Sequence, residues 1–359
     1  MENIKEIPIF FIMGRPRSGT TLLRTLFDAH PNVKIPTEFP IFLFLYQRFG
    51  KIKEWDEETI LSFIDHVFQI KIFNHRPIDT LKIDRQVFTE DLLKLAHTGT
   101  IQDFLKKFNF HAYSMFPKGE ILRVGDKNPL YSIYIRRFIK IFPEAKFICI
   151  IRDYRDNYVS MKGLKDLKLE APILPLQVYR WRYVVKRFRR YEKRYPGRFH
   201  LVRYEDLVSS QESTFRELCS FIGITYDQNV FDFFLKLEEN RDLYPREIVE
   251  KYHKSLMNPV NKSRMGIWKK ELTEDQVKMA DQVAGKTADR LGYERKYRSF
   301  SLSCYLRSRP MVWYGYLIFR LMVLGSYLPY KQNRSFFLNL NVLVRIYYRF
   351  SGGRKRKDQ

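Results

Sequence analysis

The fold is decided by the stretch Pro8-Ile9-Phe10-Phe11-Ile12-Met13-Gly14-Arg15-Pro16-Arg17-Ser18-Gly19-Thr20-Thr21-Leu22-Leu23. Its apolar run, residues 9–13, predicts a buried strand, and the apolar periodicity of residues 20–29 predicts a helix. A Gly-rich turn joins the two. This geometry directs backbone N–H groups and a helix N-terminus at one point, which suits a phosphate or sulfate group. We therefore expect an anion-binding loop after the first strand.

The loop has the glycine spacing of a P-loop but not its lysine. Four residues separate Gly14 from Gly19, and Thr20 stands where a nucleoside triphosphatase needs lysine. Two arginines, Arg15 and Arg17, supply positive charge within the loop instead. The sequence thus predicts a loop that binds an anion but is poorly suited to the γ-phosphate of ATP.

The loop and its continuation resemble one enzyme family. Residues 15–22, Arg-Pro-Arg-Ser-Gly-Thr-Thr-Leu, resemble the 5′-phosphosulfate loop of sulfotransferases that use 3′-phosphoadenosine 5′-phosphosulfate (PAPS). Residues 28–33, Asp-Ala-His-Pro-Asn-Val, are closest in motif to the protein-tyrosine and glycan sulfotransferase branch. The resemblance continues in patches to about Leu272. It implies PAPS as sulfuryl donor, no metal, and 5′-phosphosulfate contacts from Arg15, Arg17, Ser18, Gly19, Thr20 and Thr21.

Strands alternate with helices along the first 294 residues. Further strands are predicted at Lys146–Ile151 and Phe199–Arg203, with a strand-like segment at residues 122–124. This alternation predicts an α/β fold, a three-layer P-loop-like parallel sheet flanked by helices. Ligands of such sheets bind beyond the carboxyl ends of the strands. We expect a catalytic domain at residues 1–294 with an acceptor-facing helical insert at about residues 41–120.

The second long strand is followed by a candidate 3′-phosphate site. Arg152 closes that strand, and Ser160 lies eight residues later on the next predicted helix. An arginine and a helix hydroxyl can converge on one phosphate, and their order resembles the 3′-phosphate site of PAPS enzymes. The alternative is a surface arginine paired with Asp153 or Asp156, followed by an ordinary helix serine.

Two later segments add candidate cofactor contacts. The basic loop before Trp268 resembles the loop that closes the nucleotide site in this family, although Met265 interrupts its usual core. The resemblance implies 3′-phosphate contacts from Lys262, Ser263 and Arg264; the alternative is a solvated turn. Tyr204 ends the third strand and either touches the cofactor or packs beneath the loop.

Three residues are the candidate catalytic groups. Sulfuryl transfer needs a base for the acceptor hydroxyl, and Glu38 follows the first helix at the position where tyrosine-sulfating relatives carry their catalytic glutamate. Its alternative role is to stabilise a helix start, and Pro40 replaces the arginine of those relatives. Lys127 resembles the family lysine that stabilises charge on the leaving oxygen, with Arg17 assisting. A histidine is the alternative base: His66, His75, His97 or His111.

Composition bears on partners and location. The formal charge is +24, which favours polyanionic partners, and the three cysteines are not clustered. Only Met1–Ile7 precede the first strand, so no leader is expected and the enzyme is predicted to be cytoplasmic, peripheral at the inner membrane face. Residues 295–359 hold 14 Lys or Arg and one acidic residue. This tail is expected to lie on an anionic membrane surface or, alternatively, to dock on the catalytic body.

These features rank the function classes. A hydroxyl of a lipid-like or sterol-type alcohol is the expected sulfuryl acceptor, and a glycan or lipid-linked saccharide is the alternative. A P-loop kinase or NTPase is disfavoured by Thr20 and by Arg152 in place of an acidic strand end. A nucleic-acid-binding protein is disfavoured because much of the positive charge belongs to the apolar tail and no binding motif is present.

Overall fold

The computed structural model describes residues 3–39, 41–71, 76–163, 172–239, 256 and 258–328. By its internal contacts the chain divides into two compact units. The first unit contains residues 1–152 and 188–264, and the second contains residues 153–187 and 265–359. The boundary after residue 294, the acceptor-facing insert and the membrane tail remain predictions.

A five-stranded parallel sheet forms the centre of the first unit. Its strands, in chain order, are β1 (Ile9–Gly14), β2 (Val33–Lys34), β3 (Arg123–Lys127), β4 (Lys146–Ile151) and β5 (Phe199–Arg203). The spatial order is β2-β3-β1-β4-β5, and every pairing is parallel. The predicted α/β fold is therefore confirmed. The strand β2 was not predicted, because two residues are too short to show a periodic pattern.

Helices of the first unit flank this sheet. They are α1 (Thr20–Ala29), α2 (Ile41–Phe49), α3 (Glu57–Gln69), α4 (Pro77–Leu81), α5 (Arg85–Leu93), α6 (Ile101–His111), α7 (Ile135–Ile141), the C-terminal part of α9 (Leu174–Arg194), α10 (Tyr204–Ser209), α11 (Gln211–Ile222) and α12 (Phe233–Glu239); α8 (Tyr154–Lys162) belongs to the second unit. The structure has a 3-10 turn, Pro129–Ile133, before α7, because the Asn128 side chain accepts a hydrogen bond from the Leu130 N–H and caps the turn.

Aromatic rings fill the core around the central strand. Phe11 of β1 is fully buried, and its ring lies 4.9–6.1 Å from the rings of Tyr131, Phe138, Phe142 and Phe147. Burying rings of this size contributes most of the hydrophobic stabilisation of a core, and tilted ring pairs add to it. The central strand is therefore held firmly, and the loop at its carboxyl end starts from a rigid support.

The helical segment between β2 and β3 has an aromatic core of its own. Rings of Phe49, Trp55, Phe63 and Phe104 contact one another at centroid distances of 4.2–6.2 Å. All four side chains are buried. These four rings thus pack within the segment itself.

The second unit is helical. Besides α8 and residues 174–187 of α9, it contains α13 (Trp268–Glu271), α14 (Glu274–Ala284), α15 (Lys286–Asp289) and α16 (Leu302–Gly325). Buried polar contacts hold α8 to α14: the Tyr154 hydroxyl donates to Asp281, and the Arg155 guanidinium lies 3.6 Å from the same carboxylate. Thr273 and Gln276 form a capping box at the start of α14.

Candidate active site

The loop after β1 depends on two glycines. A Cβ atom on Gly14 would lie 2.4 Å from the carbonyl oxygen of Ile150 in the neighbouring strand. Gly19 has φ 95°, in the left-handed region, and a Cβ there would lie 2.6 Å from the Tyr204 ring. Both positions leave room only for glycine, so the backbone passes close to its neighbours and turns sharply into α1.

The same loop offers its backbone to an anion. Gly19 precedes α1 and brings no side chain to cap it, so the helix N-terminus and its N–H groups are available to a ligand. Ser18 is fully buried, and its N–H donates to the Arg15 carbonyl at 3.2 Å. Arg15 is 4% exposed, and Arg17 has φ 66°. The loop therefore has the cradle that the predicted 5′-phosphosulfate contacts require.

The carboxyl end of β3 carries an ion pair. Lys127 Nζ lies 2.5 Å from Glu38 Oε2 and donates to Thr21 Oγ1 at 3.3 Å. The lysine side chain is only 2% exposed, whereas that of Glu38 is 43% exposed. The structure thus brings the two predicted catalytic groups together beside the first turn of α1, with the carboxylate open to solvent.

A buried acid supports this end of β3, and no sequence pattern indicated that it is buried. Tyr131 donates its hydroxyl to Asp126 Oδ2 at 2.9 Å, and the Phe39 carbonyl lies 3.4 Å from the same hydroxyl. Burial raises the pKa of Asp126 to about 7, and the nearby Glu38 charge adds to this. The backbone next to Glu38 is thereby linked to the strand that ends in Lys127.

The carboxyl end of β4 is rich in guanidinium groups. Arg152 is 5% exposed and donates to two backbone carbonyls, those of Arg17 at 3.4 Å and of Arg264. Burial lowers the pKa of Arg17, and repulsion by Arg152 and Arg264 lowers it further. Three predicted anion contacts therefore meet at this edge.

The structure places Tyr204 beneath the loop, and its contact with the cofactor remains a prediction. It begins α10 directly after β5, is 9% exposed, and its ring packs under Gly19. The Arg152 guanidinium lies over the same ring, 4.9 Å from its centroid. The tyrosine thus supports the loop and orients an arginine at the neighbouring strand end.

The remaining predicted 3′-phosphate contacts lie in segments of both units. Lys262, Ser263 and Arg264 are exposed residues at the end of the first unit, and the Ser263 N–H donates to Asn261 Oδ1 at 3.0 Å. Ser160 is a half-buried residue of α8 in the second unit.

The late basic loop has an anchor within the second unit that the sequence did not reveal. Asp156 of α8 accepts N–H hydrogen bonds from Gly266 at 2.7 Å and from Trp268 at 2.9 Å. The Arg155 guanidinium stacks over the Trp268 ring at 3.8 Å. Trp268 in the basic loop could have indicated aromatic packing. Asp156 lies more than one hundred residues earlier in the chain, so sequence spacing could not link it to Trp268.

The candidate histidine bases make contacts away from the Lys127–Glu38 pair. His66 contacts Arg48 at 2.9 Å, His111 contacts Asp91 at 2.8 Å, and His97 lies 3.9 Å from Glu54. His75 is outside the described residues. Within the described part of the chain, no group of three or more His, Cys, Asp or Glu side chains could hold a metal ion.

The comparisons with known proteins agree with this geometry. A parallel α/β sheet with a glycine loop after its central strand defines the class of fold, which is P-loop-like. Residues 8–228 match the model of the sulfotransferase family, and the chain belongs to that family. The predicted enzyme class, a sulfotransferase, is confirmed, and PAPS as the sulfuryl donor remains a prediction.

The individual relatives that match the chain share about a quarter of its residues or fewer. A putative protein-tyrosine sulfotransferase of Caenorhabditis briggsae is 23% identical over 285 residues, which cover 77% of this chain and 86% of that protein. Protein-tyrosine sulfotransferase 1 of Danio rerio is 25% identical over 296 residues, covering 81% and 73%. Among solved structures, the sulfotransferase domain of the Synechococcus PCC 7002 olefin synthase has a TM-score of 0.52 and 19% identity, covering 80% of this chain and 95% of that one.

One prediction is wrong. The expected cytoplasmic location, peripheral at the inner membrane face, is contradicted by the matched relatives, which are protein-tyrosine sulfotransferases. The wrong prediction was inferred from the short segment that precedes the first strand. Among the described helices, none has both the length and the apolar character needed to cross a membrane.

Proposed function

We propose that this sulfotransferase moves the sulfuryl group of PAPS to an acceptor hydroxyl, with Glu38 as the general base. The observation that carries the proposal is the pair formed by Glu38 and Lys127, 2.5 Å apart, beside Thr21 of the anion-binding loop. PAPS supplies the sulfuryl group and leaves as a bisphosphate. The protein must therefore accept one proton and stabilise new negative charge on the departing phosphate.

The exposures of the paired side chains support separate roles. A hydroxyl from solvent can reach the half-exposed Glu38 carboxylate, which accepts the proton as the oxygen attacks sulfur. Lys127 is buried and approaches from the sheet, where its ammonium stabilises charge on the leaving oxygen together with Arg17. Asp126 and Tyr131 hold the backbone on either side of this pair and act as positioning residues.

We assign the donor's two anionic groups to the two ends of the loop region. The loop amides and the N-terminus of α1 bind the 5′-phosphosulfate, with the side chains of Arg15, Ser18, Thr20 and Thr21 and the close backbone approach allowed by Gly19. Arg152 and Arg264 bind the 3′-phosphate, together with Lys262 and Ser263; Ser160 remains a contact predicted from the sequence alone. The cluster of Arg17, Arg152 and Arg264 supports this assignment, because a bound anion offsets the repulsion that lowers the pKa of Arg17.

The acceptor we propose is a lipid-like or sterol-type alcohol, with a glycan or lipid-linked saccharide as the alternative. Its support is the large exposed apolar surface of α16, where Trp313 and Leu317 are more than half exposed. A tyrosyl hydroxyl is a second candidate, because the relatives are protein-tyrosine sulfotransferases. Pro40, at the place of an arginine of those enzymes, disfavours a peptide.

A sulfuryl-transfer assay tests the chemistry and the acceptor together. Purified protein is incubated with PAPS and, separately, with extracted lipids and sterols, with glycans, and with tyrosine-containing peptides, and products are read by the mass of one added sulfuryl group. We expect a product only with PAPS present and in the lipid arm. Release of the bisphosphate without any sulfated product in all arms would contradict transfer to a hydroxyl. A product confined to the peptide or the glycan arm would keep the chemistry and replace the acceptor.

A further inference from the structure

Helix α16 is attached to the second unit along one face. The buried residues on that face are Cys304, Ser308, Val312, Gly315, Ile318 and Phe319. Gly315 allows close packing on α9, since a Cβ there would lie 2.7 Å from the Tyr179 ring. The Phe319 ring lies 4.8 Å from that of Tyr183, and Arg307 makes a two-bond ion pair with Asp275 of α14. The helix is therefore part of a folded unit.

The opposite face of α16 is apolar and faces solvent. Its large side chains are 53–63% exposed and follow one another at intervals of four and seven residues: Leu302, Leu306, Trp313, Leu317 and Leu324. We call these five residues the outer stripe. Residues at such intervals lie on one side of a helix. A surface helix normally turns polar residues outward, and a continuous exposed apolar surface marks an interaction site.

The charged side chains of α16 itself are all positive, and one of them, Arg307, is paired with Asp275 of α14. α16 contains Arg307, Arg309 and Arg320 and no acidic residue. Arg320 is exposed, and its guanidinium donates to the Tyr316 hydroxyl at 3.1 Å; Arg309 lies over the Tyr305 ring. Long basic side chains can rest their stems on an apolar layer and hold their charges at its polar border, where Trp and Tyr also prefer to lie.

We propose that the outer stripe of α16 binds the surface of an anionic lipid bilayer, lying in the interface with its axis parallel to the membrane. Two observations select this occupant. The apolar, aromatic and basic side chains of one face match the hydrocarbon border and the anionic headgroups that an interfacial helix contacts. The other face is already packed on α9 and α14, so only one side of the helix is available to lipid. The inference uses the same exposed residues as the proposed acceptor, but its test measures vesicle binding and does not depend on turnover.

The test uses the full chain and two sets of vesicles, one of phosphatidylcholine alone and one with about a third phosphatidylserine. We expect flotation with the anionic vesicles and weak or no flotation with the neutral ones. The triple variant Leu306→Gln, Trp313→Gln, Leu317→Gln should lose at least tenfold in affinity. Its matched control, Leu61→Gln, Val87→Gln, Leu235→Gln, changes exposed apolar residues of other helices and should bind as the parent does.

Two further measurements keep the test decisive. Arg309→Gln with Arg320→Gln should weaken binding about 25-fold, since each basic residue near an anionic surface contributes about 1 kcal/mol. In the unchanged protein, brominated lipids should quench Trp313 fluorescence, with Trp313→Phe as the reference, because the other three tryptophans are not on α16. Vesicle binding that is unchanged in the triple variant would overturn the proposal and would assign membrane binding to other basic segments. The proposal would also be overturned if the parent protein does not bind vesicles but forms a concentration-dependent dimer that the triple variant abolishes. The outer stripe would then bind a second copy of the chain.

Discussion

The two strands that flank β1 end in opposite electrostatic settings. At the end of β3, Lys127 is paired with Glu38, and the buried Asp126 has a raised pKa that favours its neutral form. At the end of β4, Arg152 lies with Arg17 and Arg264, whose mutual repulsion adds to the effect of burial on Arg17. The β3 end therefore carries an ion pair whose carboxylate can accept a proton, whereas the β4 end carries several positive charges close together.

This difference indicates a division of labour around one loop. A compensated pair with an exposed carboxylate can exchange a proton with a hydroxyl without attracting bulk anions. A cluster of guanidinium groups binds a phosphate and gains most when that phosphate carries two charges. If the division holds, substitutions at the β3 end should change turnover, and substitutions at the β4 end should change the affinity for the nucleotide.

The largest effect is expected from Glu38→Gln. Losing a positioned general base lowers turnover by about 10²–10⁴, while the affinity for adenosine 3′,5′-bisphosphate should stay within about twofold because the amide keeps the shape of the side chain. Turnover is measured with PAPS and the best acceptor, and affinity by calorimetry. Glu212→Gln, an exposed glutamate paired with Arg216, is the control and should leave both quantities unchanged. A variant that keeps most of its turnover would remove the base from the β3 end.

Arg152→Ala should act on binding and should discriminate between two nucleotides. A charge-assisted contact contributes about 1.5–3 kcal/mol, so the affinity for adenosine 3′,5′-bisphosphate should fall roughly tenfold to a hundredfold. Adenosine 5′-phosphosulfate, which lacks the 3′-phosphate, should bind almost as before. Calorimetry with both ligands makes the comparison, with Arg216→Ala as the exposed arginine control. Equal weakening of the two ligands would show that Arg152 supports the loop and does not contact the 3′-phosphate.

The sequence predicted the functional residues at the strand ends better than the long-range contacts that these residues make. Arg152 was found because it follows an apolar run, and Lys127 because it resembles the family lysine. Parallel strands bring the carboxyl ends of both segments to one edge of the sheet. The bond from Arg152 to the Arg264 carbonyl joins residues 112 positions apart and leaves no periodic signal. Likewise, the aromatic residues of α3 and α6 show helical periodicity, but only the structure shows that they pack on each other. Local sequence pattern thus predicts helices and strands, whereas contacts between residues distant in the sequence are known only from the structure.

The buried acid at the β3 end predicts the smallest effect, a pH dependence of stability. The native pKa of Asp126 is raised to about 7, chiefly by burial, above the ordinary value near 3.8. The native state therefore binds the proton more tightly than the unfolded chain does. The stabilisation is complete at low pH and is lost as the pH rises through about 7, which amounts to about 1 kcal/mol between pH 6 and 8.

Asp126→Asn should remove that dependence while keeping the hydrogen bond from Tyr131, since an amide oxygen accepts as the carboxyl does. We expect the urea midpoint of the parent to fall between pH 6 and 8 and that of the variant to change less. Asp79→Asn, at an exposed pair with Arg76, should retain the slope of the parent. If the parent shows no loss over this range, or the variant shows the same loss, Asp126 is not the titrating group. The β3 end would then differ from the β4 end only through the Lys127–Glu38 pair.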